Sequence, residues 1–354
     1  PINYNGMKIV GRGSAPLDPA TELPPIVDLA TSGRFAAAKK GSVTDFSHAR
    51  AEYARAMADF VDISALRPMK IVVNAGNGTA GPTFDAIASE LERRGAPLTF
   101  VRMHHDVDSS FPNGIPNPLL PENQPPTVEK MKQEKADLGV AWDGDFDRCF
   151  FFDENGRFIP GEYIVGLLGA AFLEKSPGEK IVHDPRVIMN TRAMIEEAGG
   201  EAVVSKTGHA FIKRKMRDVG AIYGGEMSAH HYFRDFYYCD SGMIPWLLMI
   251  ELLSRKGQTL AELLSERMRL YPSSGETNYH IDDPDAAIAR LIGRYEDKAD
   301  SRDDLDGVSL DFGTWRFNLR KSNTEPVVRL NLESDGDAEL VREKQAELAA
   351  ILKG

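Results

Sequence analysis

Three aspartates at alternate positions, Asp143, Asp145 and Asp147, hold the most chemistry in the least space of any stretch in this chain. Gly144 fills the first gap and Arg148 follows directly. Residues Ala136 to Ala141 read as a strand entering this loop, and Cys149 to Asp153 as a strand leaving it. A tight loop between two buried strands aims its carboxylates at one point. Three like charges that close repel unless a cation sits among them. An all-oxygen site of this kind suits Mg²⁺. A solvated acidic turn is the competing reading, and the flanking strands and Arg148 argue against it. A calcium loop is a second competitor, since Asp143, Asp145, Asp147 and Glu154 fall at EF-hand spacing. Arg148 stands where that loop needs glycine, and the flanks read as strands rather than helices.

Four other stretches carry chemistry. Gly76-Asn77-Gly78-Thr79-Ala80-Gly81 follows a strand and opens a helix, as a dinucleotide fingerprint does. Thr79 and Pro82 crowd the helix start, which favours a tight turn that lets strand and helix pack closely. Lys206-Thr207-Gly208-His209 precedes a helix carrying Lys213, Arg214, Lys215 and Arg217. It reads as an anion or hydroxyl site at a helix N-terminus, against a capped helix with a solvated basic face. In Gly225-Glu226-Met227-Ser228-Ala229-His230, an extended chain would point Glu226, Ser228 and His230 the same way. Acid, hydroxyl and imidazole together suit sugar hydroxyls, and His230 can exchange a proton near neutral pH. Arg320-Lys321-Ser322-Asn323-Thr324-Glu325-Pro326, with Arg329 after it, offers the donors of a phosphate cradle.

The elements that must position these loops repeat. Lys70 to Asn74 is a strand, Pro82 to Arg94 a helix and Pro97 to Val101 a strand. Lys180-Ile181-Val182 begins a similar strand-loop-helix-strand run 110 residues later. The spacing predicts two similar α/β domains in tandem with mixed sheets. The last part alternates Trp315, Phe317, Leu319 and Val328, Leu330, Leu332 between two helical stretches, which predicts an α+β domain with an antiparallel sheet. The boundaries read as 1–48 (the tail of a domain, with Lys8 to Val10 a strand and Ile26 to Phe35 a helix), 49–157, 158–270 and 271–354.

With 354 residues, 42% hydrophobic and 27% charged, the chain can bury large cores without disulfides, and its two cysteines suggest a reducing, cytoplasmic setting. A net charge of −11 argues against nucleic acid or an anionic membrane as partner, though not against a small anion in a local basic pocket. The longest apolar runs, Tyr163 to Leu173 and Met243 to Leu253, are too short to span a bilayer. No signal peptide is seen. The chain begins at Pro1, so its start is expected to have been cut, processed or left out.

These motifs, in this order, resemble the α-D-phosphohexomutase superfamily, and most closely its bacterial phosphomannomutases. Asp143 to Arg148 resembles the family's Mg²⁺ loop, Gly225 to His230 its sugar-binding loop, and Arg320 to Pro326 with Arg329 its phosphate loop. Thr207-Gly208-His209 and the proline-rich stretch Phe111 to Asn123 also match. The resemblance implies four domains around a cleft. It implies interconversion of mannose 6-phosphate and mannose 1-phosphate through a phosphoserine and a hexose 1,6-bisphosphate, which serves as intermediate and activator. Phosphoglucomutase or dual-specificity activity is the alternative, because the loop contacts do not reach C2, where the sugars differ. A non-catalytic sugar-phosphate-binding fragment is the other.

The family serine lies in a Ser-His-Asn-Pro run, and this chain starts at that proline. Residues 1–48 are therefore expected to be the remnant of the phosphoserine domain, with the serine on a separate N-terminal segment or truncated away. The isolated chain is then expected to be inactive. The roles implied are Asp143, Asp145 and Asp147 for Mg²⁺; Lys8, Arg148, His209 and His230 for catalysis; and Arg186, Glu226, Ser228, Arg320, Ser322, Asn323, Thr324 and Arg329 for substrate. Arg186 stands where other branches of the family have lysine.

Overall fold

The computed structural model describes residues 7–35, 39–322 and 326–354. Residues 7–35 hold one α-helix, α1 (Leu23–Ser32), stopped by Gly33 in left-handed backbone. It starts before the expected Ile26 because Pro24 and Pro25 suit a first helical turn, where the missing N–H costs nothing. Lys8 to Val10 is not a strand. Val10 makes a single bridge to Pro16, and such a pairing has no sheet to extend it.

The first α/β unit runs α2 (Ala49–Ala58), β1 (Met69–Asn74), α3 (Ala80–Arg93), β2 (Leu98–Met103), α4 (Pro125–Glu134), β3 (Leu138–Trp142), β4 (Cys149–Phe152) and β5 (Phe158–Ile159). Its sheet order is β2-β1-β3-β4-β5, with β1 parallel to both neighbours and β4 and β5 antiparallel. Every residue of β3 and β4 is buried, as expected of near-continuous apolar strands covered on both faces. Phe84, Ile87, Ala88 and Leu91 form the buried stripe of α3.

The second unit runs α5 (Gly161–Lys175), β6 (Lys180–His183), α6 (Met189–Glu197), β7 (Glu201–Val204), α7 (His209–Val219), β8 (Tyr223–Gly225), β9 (His231–Phe233), β10 (Cys239–Asp240), α8 (Ile244–Lys256) and α9 (Leu260–Leu270). Its order, β7-β6-β8-β9-β10, repeats the first with the same parallel and antiparallel pairings. The two apolar runs too short for a membrane are α5 and α8. They are buried on most of their surface and join both units in one core with Trp142, Tyr163, Leu168, Tyr223 and Trp246. Among the described residues no helix is long and apolar enough to cross a membrane. Cys149 is buried, and both cysteines are free.

The last unit is β11 (Ser273–His280), α10 (Pro284–Tyr295), β12 (Ser301–Asp303), β13 (Val308–Asp311), β14 (Trp315–Lys321), β15 (Val327–Ser334) and α11 (Ala338–Lys353). The sheet is antiparallel throughout, in the order β11-β15-β14-β13-β12. Both helices share one apolar cluster with Phe317, Leu319, Leu330 and Leu332. β12 has no apolar alternation to announce it, because it is a short, fully exposed edge strand of Ser301, Arg302 and Asp303. This unit docks on the second through a buried ion pair: Arg316 Nη1 lies 2.6 Å from Glu333 Oε1. Glu333 accepts from the N–H groups of Ile188 and Met189, and Arg316 donates to the carbonyls of Pro185 and Arg186.

Candidate active site

The internal repeat places the two most polar loops at equivalent positions. The aspartate loop joins β3 to β4, and the Glu226 to His230 loop joins β8 to β9. The two meet: Arg148 and His230 form an antiparallel bridge, and Cys149 N–H donates to the Ala229 carbonyl at 3.2 Å. Gly242 adds a second seam, donating to the Phe146 carbonyl, while its own carbonyl accepts from Trp142 Nε1 at 2.8 Å.

Within the aspartate loop, Phe146 has φ of 49°, which turns the chain so that the carboxylates converge. One oxygen from each of Asp143, Asp145 and Asp147 lies within 4.8 Å of the others. Asp143 is buried and Asp145 exposed. Burial pushes the Asp143 carboxyl up to about 6; Asp147 and Asp145 push the same way, and Arg148 pulls it down. Arg148 donates through Nε to Asp143 Oδ2 at 2.6 Å. Burial also acts to raise Asp147, but His230 and Lys8 hold it below the usual carboxylate range. An all-carboxylate trio with one member made costly to ionise, first by burial and then by like charge, fits a hard divalent cation such as Mg²⁺. Glu154 takes no part. Its carboxylate accepts from Ala261 N–H, and the loop is flanked by strands, which removes the calcium-loop reading.

The glycine-rich turn at 76–81 props this loop. Thr79 donates to the Gly144 carbonyl through N–H at 3.0 Å and Oγ1 at 3.1 Å. A Cβ on Gly78 would lie 2.6 Å from that carbonyl oxygen, and one on Gly81 would lie 2.1 Å from the His105 carbonyl oxygen. The glycines are spent on close approach of protein backbone to protein backbone, which leaves no cradle for a dinucleotide.

Lys8 reaches the loop from outside both units. Its Nζ is 2.6 Å from Asp147 Oδ2 and 3.0 Å from Asp240 Oδ2. Burial alone would lower its ammonium, but these two carboxylates hold it above the usual lysine range. Asp240 is shared with Lys213, at 2.5 Å. Lys213 is therefore buried, and the basic face of α7 is not simply solvated: Arg214 pairs with Asp18, and Arg217 donates to the carbonyls of Gly13, Ser14 and Tyr237. Asp147, His230 and Asp240 also bring ligand atoms within 4.8 Å of one another, but Lys8 already bridges the two carboxylates.

The sugar-loop expectation needs correction. The chain does not stay extended through Glu226 to His230. Ala229 has φ of 69°, Ala229 N–H donates to the Glu226 carbonyl, and Glu226 N–H donates to the His230 carbonyl, so the segment is a tight turn. Ser228 Oγ and His230 Nδ1 still meet at 3.1 Å, and His230 Nε2 lies 3.4 Å from Asp147 Oδ1. Glu226 points elsewhere. It is buried, accepts from Tyr232 Oη and from Gly208 N–H at 3.1 Å, and lies 3.6 Å from Arg186. Gly208 thereby ties His209, the first residue of α7, to the same turn. Burial, Lys213 and Lys8 lower the His209 pKa, and its buried Nδ1 has no hydrogen-bond partner among the described residues.

Arg186 is buried, with Nε and Nη2 donating to Asp184 at 3.0 and 2.9 Å, and Nη2 lies 3.5 Å from Ser228 Oγ. Its Nη1 is 3.6 Å from Glu276, which also meets Arg320 and Arg329. A single path of contacts therefore runs from Lys8 through Asp147, His230, Ser228, Arg186 and Glu276 to Arg320 and Arg329. Ser322 lies at the end of β14, where its N–H donates to the Val327 carbonyl. Asn323 and Thr324 lie outside the described residues. The reading from sequence missed Asp184, Asp240, Glu276 and Asp306. Only Asp184 had a signal, its place beside Arg186; the others gain their roles from partners remote in sequence.

Sequence comparison agrees with this geometry. The profile "Phosphoglucomutase/phosphomannomutase, alpha/beta/alpha domain II" matches residues 51–156, domain III of the same family matches 160–271, and its C-terminal domain matches 276–351. A phosphomannomutase of Salmonella montevideo is 53% identical over 355 residues, covering 99% of this chain and 78% of the relative. The chain belongs to the phosphoglucomutase/phosphomannomutase family. Its fold accords with that of a phosphoglucomutase/phosphomannomutase family protein from Burkholderia thailandensis, with TM-score 0.80, 29% identity, and coverage of 93% of this chain and 70% of that one. An N-acetylphosphoglucosamine mutase from Aspergillus fumigatus, solved with GlcNAc-6P and magnesium, shares the fold at TM-score 0.59 and 15% identity, over 85% of this chain and 65% of that one. The aspartate loop lies within the domain II match, the Glu226 turn within the domain III match and the Arg320–Arg329 pair within the C-terminal match.

Proposed function

We propose that this protein acts as a phosphomannomutase, an isomerase interconverting mannose 6-phosphate and mannose 1-phosphate through a hexose 1,6-bisphosphate. The observation that carries the reading is the contact path from a carboxylate trio to an opposed arginine pair, running through the turn that holds Ser228 and His230. Carboxylates at one end and arginines at the other support a cation site and an anion site on one substrate, as a sugar with a phosphate at each end would use. The 53% identity to a phosphomannomutase over nearly the whole chain supports the same assignment.

Asp143, Asp145 and Asp147 would hold Mg²⁺, which when bound supplies the divalent charge that neutralises phosphoryl oxygens. Arg148, anchored on Asp143, adds a guanidinium beside the reacting phosphate. Lys8 and His230, both against Asp147, and His209 stand where a proton must leave or reach the reacting sugar oxygen. Ser228 takes a sugar hydroxyl, and Glu226, buried behind it, holds Arg186 beside that hydroxyl. Arg320, Ser322 and Arg329, with Asn323 and Thr324, hold the phosphate that is not reacting. The rate then comes from positioning and fixed charge.

A coupled assay of the full gene product tests this. Mannose 1-phosphate with glucose 1,6-bisphosphate and Mg²⁺ is expected to turn over, and chelation by EDTA to stop it. Turnover of glucose 1-phosphate at least about tenfold faster, in kcat/KM, would move the assignment to phosphoglucomutase.

A further inference from the structure

The register of the last sheet sets two arginines against each other. Arg320 on β14 pairs directly with Arg329 on β15. Like charges opposite one another across strands are destabilising, so the pair needs an anion. Glu276 supplies it from β11, on the other side of β15, where its neighbour but one, Asn278, is the direct partner of Arg329. The carboxylate does so unevenly. Oε2 lies 2.8 Å from Arg320 Nη2, but 3.6 Å from Arg186 Nη1, and Oε1 lies 3.7 Å from Arg329 Nη1. One contact is a charge-assisted hydrogen bond, and two are ion pairs too long to be hydrogen bonds. The Nε atoms of Arg320 and Arg329 are buried, and neither has a hydrogen-bond partner among the described residues. Asp306, the second acid here, divides one oxygen between Arg320 Nη1 at 3.4 Å and Thr207 N–H, and Arg186 already has its own acid in Asp184.

Three guanidinium groups from two units thus meet at one carboxylate, which hydrogen-bonds Arg320 and leaves Arg329 with a long ion pair. A phosphate has more oxygens and more charge than a carboxylate. We infer that Glu276 is an internal competitor for the phosphate cradle: it neutralises Arg320 and Arg329 between turnovers and must be displaced when a sugar phosphate binds, which sets the affinity for that phosphate. This rests on the reading of the Arg320–Arg329 loop as the phosphate site.

Calorimetric titration with mannose 1-phosphate tests it on wild type, Glu276→Gln and Glu276→Asp. Glu276→Gln keeps size and an acceptor oxygen but removes the charge, and is expected to bind about tenfold tighter. Glu276→Asp withdraws the carboxylate by one methylene and is expected to tighten binding about threefold. Thermal unfolding with inorganic phosphate gives a second readout. Glu276→Gln is expected to melt below wild type without phosphate and to gain more from adding it. A merely structural Glu276 would weaken binding in both variants, and that result, or unchanged affinity, overturns the inference while leaving the proposed function standing. Failure of wild type to bind mannose 1-phosphate overturns both.

Discussion

At the scale of single residues, the aspartate loop depends on a glycine that does no chemistry. Gly78 abuts Gly144, with room for no side chain. Gly78→Ala must push the loop by more than a few tenths of an ångström. It is expected to cost about 1–3 kcal/mol of stability and to raise the Mg²⁺ concentration needed for half-maximal activity. Gly293→Ala is the control. It lies on the exposed face of α10 with nothing within 4 Å of its Cβ, and is expected to add about 0.5–1 kcal/mol with activity unchanged. Equal Mg²⁺ dependence in Gly78→Ala and wild type would mean that the turn does not hold the loop. The residues proposed to do the chemistry could be picked out because each set lies within a few positions of sequence. Asp240 and Glu276 could not, since one serves Lys8 and the other Arg186, Arg320 and Arg329, all distant along the chain.

At the scale of elements, the joint between the last sheet and the second unit is the most exposed to a single change. Arg316 on β14 and Glu333 on β15 are opposite one another in register, buried, and bonded to the backbone of residues 185–189. Arg316→Ala leaves Glu333 charged in a dry seam, and is expected to cost roughly 3–5 kcal/mol in urea unfolding and to displace Arg186 from the site. A cost below about 1 kcal/mol would show that apolar contact alone seats the sheet. The helices and most strands were legible from period and punctuation. Exposed β12 was not, and neither was the Glu226 turn, whose bend needs Ala229 in left-handed backbone, a conformation residue type does not announce.

At the scale of the whole molecule, buried ionisable groups set the pH range of the fold. Burial holds His183 down to about 4 and His231 to about 3, and neither Nε2 has a hydrogen-bond partner among the described residues. Their folded pKa values lie below the unfolded one, so their contribution is fully present above about pH 6.5 and is lost as pH falls towards those values. Glu162 works in the opposite sense. Burial, aided by Glu333 and Asp184, pushes it up to about 7, so the cost of ionising it grows as pH rises from about 4.5 to 7 and is constant above. Glu162→Gln is therefore expected to exceed wild type in stability at pH 8, by on the order of 3 kcal/mol, and to match it near pH 4. Denaturant melts at the two pH values check this. A gain of equal size at both would mean that folding leaves the Glu162 pKa where it is in the unfolded chain.

The sequence by itself determined the repeat, the α+β end and the loops proposed to carry the chemistry, because period, punctuation and contiguous motifs are local properties of a chain. Tertiary structure alone decided that the two equivalent loops of the repeat face each other across the Arg148–His230 bridge. It alone seated Lys8 between Asp147 and Asp240, and set Glu276 against three arginines. Those are pairings between charges far apart along the chain, and what a buried charge does is fixed by the partner that comes within reach.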